Sequence, residues 1–470
     1  MQFIDRENEQ ERLHRALDSD KPEFVVLYGR RRLGKSTLIR RVLKKNDVYY
    51  EASRKEKGIQ IDMLAHTIAN VYPGFDGPVY SDWRDIILAF NHWCEPNATL
   101  VLDEFPFMVQ KDPALPSTLQ NILDRRIIGG EGLRCNIIIC GSSQRMMHSL
   151  LLGSEPLYGR AEEEFALRPI RLPHWLEATG MEAKSLIEEY SIWGGVPQYW
   201  NYRGQYNSLD AALHELVFNE QGKMYNEPDN LFMDEIADVA SYSSIMASIG
   251  YGNHRYSEIA SAIRKSMTEL NKPLGNLIKM NYIRKEVPFG ENEKKSKKTL
   301  YQIDDPYLAF YYSIVEPVKP MLAMGMDNIV RKRFEEKFPM HVSKIWEQLC
   351  QLAVSGNEIF DHVWNMAGRW WGKVPVYEEG RKTPVGSEDL EFDVVAQDYE
   401  DKNTILVGEC KWAAADYAGR LLEKLKAKTA KAPFAQGKNI VYVLFLRENP
   451  KSQADCDIML PDDVIKALPR

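Results

Sequence analysis

Residues 24–37 read FVVLYGRRRLGKST. An apolar run with the look of a strand leads into a glycine-bounded loop, and the loop into a helix that opens near Thr37. Gly29, Gly34, Lys35 and Ser36 fall in the spacing GxxxxGK[ST], which needs that strand before it and that helix after it. Glycines let successive backbone N–H groups curl around phosphate oxygens, and the helix N-terminus adds positive potential. Lys35 is placed to neutralise the β- and γ-phosphates and to act in catalysis, and Ser36 to ligate Mg²⁺. The stretch therefore implies ATP and Mg²⁺ as cofactors, with Gly29, Gly34, Lys35, Ser36 and Thr37 binding the nucleotide.

Working outward, the apolar run Thr99–Leu102 ends in Asp103-Glu104. Asp103 can hold the Mg²⁺ shell and Glu104 can polarise an attacking water. The run Asn136–Cys140 ends in Gly141-Ser142-Ser143, where a hydroxyl can sense a γ-phosphate or simply form a polar turn. With Val48–Tyr50 and Phe165–Ile170 these runs alternate with helical patterns, which predicts a parallel sheet covered on both faces. Leu172 to Tyr225 reads as a small helical lid containing the turn Gly194–Pro197. Ser241 to Asp304 reads as short helices followed by two runs, Tyr282–Val287 and Thr299–Ile303, either side of GENEKKSKK, which suggests a winged helix. After a connector from Pro317 to about Arg333 come a helix and the strands Glu391–Ala396, Ile405–Lys411 and Ile440–Leu446, a further α/β unit.

The 470 residues carry a net charge of −7, with 44% hydrophobic and 27% charged positions, which excludes disordered and fibrous classes. Apolar runs such as Ile440–Leu446 fall far short of the roughly 20 residues a membrane span needs, so no membrane partner is expected. The charged opening MQFIDRENEQERL and six cysteines without a CxxC pair suggest a cytoplasmic protein with reduced thiols. Against the acidic average, Tyr251 to Leu300 holds eleven Lys or Arg and five acidic residues. Lys272, Lys279, Lys294, Lys295, Lys297 and Lys298 can meet the phosphates of double-stranded DNA. The same lysines also suit a solvated hairpin that touches only protein.

Two further pairs stand out. In LEFDVVA, Glu391 and Asp393 lie two apart on a strand and so point to one face, and in TILVGECKW, Glu409 and Lys411 do the same. Burying such carboxylates side by side costs several kcal/mol unless a cation compensates, which suggests a Mg²⁺ site with Lys411 steadying the nucleophile or developing charge.

FIDRENEQERL, YGRRRLGKST, TLVLDEF, IIICGSS, PLYGR and GGVPQYW together resemble the archaeal-type P-loop ATPase family, which is related to the AAA+ and signal-transduction ATPases. The resemblance implies that Arg6, with Glu9, lines the adenine site. It further implies that Arg160 senses the γ-phosphate or serves as an arginine finger, and that Pro197 packs near the base from the lid. The second half, with IDDPYLAFYY and AGRWWG, looks like the domain that accompanies such ATPases. Asp393 and Glu409-Cys410-Lys411 resemble the core of the PD-(D/E)XK restriction-endonuclease-like superfamily. Phe392 stands where a proline is usual, and Glu347 occupies the position of a helical glutamate. The implied metal ligands are Ser36, Asp103, Glu347, Asp393 and Glu409.

The expected fold is thus α/β: a P-loop NTPase parallel sheet (1–171) with a helical lid (172–226), then a winged helix (227–316) and a C-terminal restriction-endonuclease-like α/β domain (317–470). The expected function is ATP hydrolysis coupled to a Mg²⁺-dependent nuclease acting on DNA, with self-association as a further partnership. The competing reading is an ATP-switched DNA- or protein-binding regulator whose nuclease-like domain does not cut.

Overall fold

The computed structural model describes residues 3–124, 132–236, 238–377, 383–413, 417–452 and 454–470. Five strands, β1 (Phe24–Tyr28), β2 (Val48–Glu51), β3 (Thr99–Asp103), β4 (Asn136–Gly141) and β5 (Glu163–Ala166), form a parallel sheet in the order β2-β3-β4-β1-β5. Parallel strands must return through crossovers, which here are helical and cover both faces. Val25, Leu27 and Ile138 accordingly enter one core, and Phe24, Val26, Ile137 and Ile139 another. The strand β5 ends earlier than the expected Phe165–Ile170. Leu167 still donates its N–H to the Tyr28 carbonyl at 2.6 Å, but Pro169 has no N–H to give, and Ile170 bonds Gly195 instead.

Four helices follow, Leu172–Thr179, Ala183–Trp193, Pro197–Arg203 and Leu209–Leu216. Next come Val239–Gly250, Tyr256–Ala262 and Met267–Lys279, with Leu270, Leu274 and Leu277 of the last buried, and then an antiparallel pair, β6 (Ile283–Glu286) and β7 (Leu300–Ile303). Ser266 and Glu269 cap the third helix reciprocally, which fixes its start. The six lysines of this region singled out in the sequence are exposed, and Lys298 is bonded to Glu291 at 2.7 Å.

A 28-residue helix, Asp327–Val354, leads into the last unit. After the two-residue strands β8 (Glu358–Ile359) and β9 (His362–Val363), a second five-stranded sheet runs β10 (Gly368–Val376), β11 (Gly386–Gln397), β12 (Thr404–Lys411), β13 (Asn439–Leu446) and β14 (Asp457–Met459). Its first two pairings are antiparallel and its last two parallel. The sequence reading missed β10, an edge strand whose Trp370 and Val374 alone point to the core. Gly408 sits where β12 passes its neighbours closely: a Cβ there would meet the Phe445 ring at 2.6 Å and Val394 Cβ at 3.1 Å. One core runs from Leu27 of the first sheet through Trp193 and Trp346 to Val394 and Phe445 of the second. Among the described residues no helix is long and apolar enough to cross a membrane.

Two outcomes follow from this packing. Gly408→Ala forces β11 and β13 aside and is expected to cost about 1–3 kcal/mol in urea unfolding. His341 is buried between the long helix and Ala183–Trp193, bonded to Ser191 O at 2.7 Å, and burial lowers its pKa from 6.5 to about 4. The unfolded chain takes up that proton first, so this group costs nothing above its unfolded pKa and penalises the fold as pH falls toward 4. Urea midpoints across that window should fall more steeply for wild type than for His341→Gln.

Candidate functional site

The loop after β1 is shaped by backbone first. Gly34 has φ 89° and Gly29 φ 153°, and a Cβ on Gly29 would lie 2.5 Å from the Leu167 carbonyl. Lys35 opens the helix Lys35–Val42 and folds back over the loop, donating to Gly29 O at 2.7 Å and Arg30 O at 2.9 Å. Burial lowers its pKa, while Glu104 and Asp103 act to raise it. The lysine is therefore held where an incoming phosphate can exchange for two carbonyls.

Beside the loop lies a cavity of about 430 Å³ that brings together Arg6, Gly34, Lys35, Ser36, Thr37, Glu104 and Pro197, with Ser142. Ser36 Oγ donates to Asp103 Oδ2 at 2.8 Å, and Tyr49 donates to the same oxygen. This hydroxyl and carboxylate form a hard-oxygen pair of the kind Mg²⁺ takes, so these residues fit the ion. Glu104 is held by Ser142, whose hydroxyl donates to Oε1 at 2.7 Å. Because β4 lies between β1 and β3, Ser142, which follows it directly, stands between the loop and the carboxylates. Arg6 is buried and bonds Arg168 O at 2.6 Å and Glu9 Oε1 at 3.0 Å.

Arg160 is the exception. Its guanidinium makes a two-pronged contact with Asp124 at 2.8 and 3.0 Å and does not line the cavity, so within one chain the implied sensor is not at the phosphate loop.

The sequence reading also missed the partners of the other loop arginines. Arg30 forms a buried ion pair with Asp305 and donates to Tyr199 OH at 2.7 Å, and Tyr199 donates to Glu227 Oε1 at 2.8 Å. Arg32 pairs with Glu227 at 2.8 Å. Glu235 accepts from Ser143 Oγ at 3.1 Å and from Gln144 N at 2.8 Å, joining the loop after β4 to the helix Glu227–Glu235. The run of arginines was the only local signal for these ties. Their acidic partners lie far along the chain.

In the second sheet, Asp393 and Glu409 stand across from each other just past the paired residues Val394 and Gly408. Asp393 Oδ2 accepts the Cys410 N–H at 2.8 Å. Burial and then Glu409 raise the Asp393 pKa, while burial and then Asp393 push Glu347 up to about 7. Glu347 and Asp393 line one cleft. The remaining carboxylates correct the expectation of a shared cluster. Glu391 pairs with Arg369 on β10, and Glu409 is clamped by Lys411 at 2.7 Å and Lys428 at 2.8 Å. Burial works to raise the Glu409 pKa, but the two lysines hold it low. Among the described residues no group of three or more His, Cys, Asp or Glu side chains is arranged to hold a metal. Glu347 and Asp393, half-buried and mutually repelling, remain a two-carboxylate pair that fits Mg²⁺ when phosphate and water complete its shell.

Comparison with known proteins bears on the amino-terminal part and on the segment after the hairpin. Residues 3–204 match the model of an ATPase domain predominantly from Archaea, and residues 311–430 that of archaeal and bacterial proteins of unknown function. An uncharacterized protein of Methanocaldococcus jannaschii is 27% identical over 424 residues, 87% of each chain. The Walker-type ATPase of Pyrococcus abyssi superposes with a TM-score of 0.50 at 21% identity, over 66% of this chain and 96% of that one, and so shares its fold. The amino-terminal part is a P-loop ATPase domain, and the protein is an ATP-hydrolysing enzyme.

Gly29→Ala should disturb the loop where it meets Leu167, lowering stability by about 1–3 kcal/mol in thermal unfolding and removing the calorimetric heat of ATP binding.

Proposed function

We propose that this ATPase uses nucleotide occupancy to govern a winged helix and a nuclease-like C-terminal unit acting on DNA. In the nucleotide cavity, Lys35 neutralises the β- and γ-phosphates, and Ser36 with Asp103 would hold Mg²⁺, which would supply further charge neutralisation on the phosphates. Glu104 orients and polarises the attacking water, and Ser142 fixes Glu104. Arg6 and Pro197 border the base. Supporting this division of labour is the contact of Ser36 with Asp103 and of Ser142 with Glu104 around one cavity.

Coupling is supported by the buried pair Arg30–Asp305 and by Arg32–Glu227. The residues between Gly29 and Gly34 cannot shift around a phosphate without pulling on these partners. Asp305 also caps the helix Pro306–Phe310, accepting from Leu308 N at 2.8 Å, directly after β7 of the hairpin. A change at the phosphate loop thus has a short mechanical route to the hairpin and the long helix that carries Glu347.

The nuclease reading rests on one observation: Glu347 and Asp393 share a cleft, with Lys411 near enough to stabilise both charges. The helix–helix–helix–hairpin order from Val239 to Ile303 supports a winged helix, and its exposed lysines support DNA as the partner. A second reading, the ATP-switched regulator, is favoured by the clamping of Glu409 between Lys411 and Lys428, which leaves two carboxylates rather than three.

Lys35→Ala is expected to cut ATP turnover by about 10²-fold or more, together with ATP binding. Glu104→Gln should bind ATP normally and lose turnover by about 10²–10⁴-fold, as read by calorimetry beside phosphate release. Asp393→Ala or Lys411→Ala should abolish Mg²⁺-dependent DNA cleavage and leave ATPase activity intact. Cleavage that survives both changes removes the nuclease reading. A wild-type protein that shifts DNA in salt-titrated gels without cutting it establishes the regulator instead.

A further inference from the structure

The cleft that holds Glu347 and Asp393 has a volume of about 470 Å³ and is closed on one side by a different unit. Its floor is the long helix, where Lys344 and Glu347 share a face one turn apart. Its far wall is β10 and β11, with Arg369, Trp371, Asp393 and the Arg369-paired Glu391, and its roof is the hairpin, through Arg284 and Glu286. The roof is fastened down. Glu286 pairs with Arg369 at 3.2 Å, and the Phe289 N–H donates to the Arg369 carbonyl at 2.8 Å. The Phe289 ring meets Phe434 edge to face at 6.2 Å.

The cleft stays open on its remaining side, and the roof narrows the way to the carboxylates. A duplex, with a major groove alone about 12 Å wide, needs an open face. The cleft has the volume of a small-molecule pocket, enough for one or two nucleotides. Its chemistry suits an unpaired nucleotide. The half-buried Trp371 indole offers a stacking face, with the Arg369 guanidinium 5.8 Å from its ring centre. The Arg369 Nε–H is buried without a partner. Among the described residues the Lys344 ammonium is in no ion pair or hydrogen bond, feeling Glu347 only at longer range. Of these, the exposed Lys344 ammonium is the donor open to phosphate oxygens, the terminal Arg369 nitrogens being paired with Glu286 and Glu391.

We propose that the cleft takes the frayed or single-stranded end of a polynucleotide, with the last phosphodiester presented to Glu347 and Asp393, so that the enzyme trims ends and does not cut within a duplex. This rests on the nuclease reading above and specifies its substrate. In the step itself, the oxygen of one water bonds to phosphorus as the bond from phosphorus to the departing sugar oxygen breaks. One proton of the water ends on that oxygen. The products are a mono- or dinucleotide and a chain shortened by the same length, with no oxidant or reductant involved.

The full-length protein with Mg²⁺ is given four DNAs of matched sequence: a linear duplex with a single-stranded overhang, a blunt duplex, a single-stranded circle and a closed duplex circle. Mono- or dinucleotides released from the overhang, with both circles at least tenfold slower, are expected. Circles cut as fast as the overhang overturn end selection and leave the nuclease reading standing. Fluorescence anisotropy in EDTA gives a second readout that needs no cleavage. An end-labelled oligonucleotide should bind at least tenfold tighter than an internally labelled circle, and Trp371→Ala should remove that preference while Trp371→Phe keeps it. If nothing is cut, the nuclease reading fails. A free end bound no tighter than the circle, or equally well by Trp371→Ala, overturns the end-binding cleft.

Discussion

The buried ion pair between Arg30 and Asp305 joins the phosphate loop to the chain 275 residues later, and the arrangement of the molecule follows from that contact. Taking both charges out of water is costly, and the cost is met only while the pair stays intact and its other lone pairs and protons are bonded. Tyr199 and the Leu308 N–H provide two of those bonds, while the Arg30 Nε–H stays buried without one. Losing either partner would leave a charge buried alone, which is far more costly than losing an exposed pair. The loop, the helix Pro197–Arg203 and the segment after the hairpin are consequently constrained to move together.

Packing extends the same constraint. The apolar core that begins at Leu27 continues through Trp193 and Trp346 to the back of the second sheet without a break. Close-packed interiors switch between discrete arrangements and resist gradual deformation. Any displacement of Arg30 would therefore be more easily transmitted as a shift of whole helices than absorbed locally. Glu347 of the long helix and Asp393 of the second sheet sit at the far end of this core, and burial, together with repulsion from Asp393 in the first case and from Glu409 in the second, raises both pKa values.

Some of the candidate sites could be read directly. The strand, glycine loop and helix from Phe24 to Val42 are contiguous, so their hydrogen-bonding geometry and their chemistry are written in one stretch. Asp103-Glu104 and Ser142 were legible for the same reason, each ending an apolar run. The hairpin and the strands carrying Asp393 and Glu409 were visible from alternation, whereas β10 was not, because an edge strand buries too few side chains to leave a pattern. The strand β5 was placed too late because the apolar run around Leu167 continues past the point where Pro169 ends the ladder.

What the sequence by itself determined is the chemistry that neighbouring residues can set up: a triphosphate cradle, a carboxylate pair at a strand end, and acidic residues spaced to share a strand face. Tertiary structure alone decided which charge meets which. It sent Arg160 to Asp124, Glu391 to Arg369 and Glu409 to Lys428, and it laid the hairpin over Glu347 and Asp393. The reason is physical. Backbone geometry is fixed by short-range sterics and hydrogen bonds, while a charged side chain has many partners of suitable sign, and only the folded path of the chain selects one.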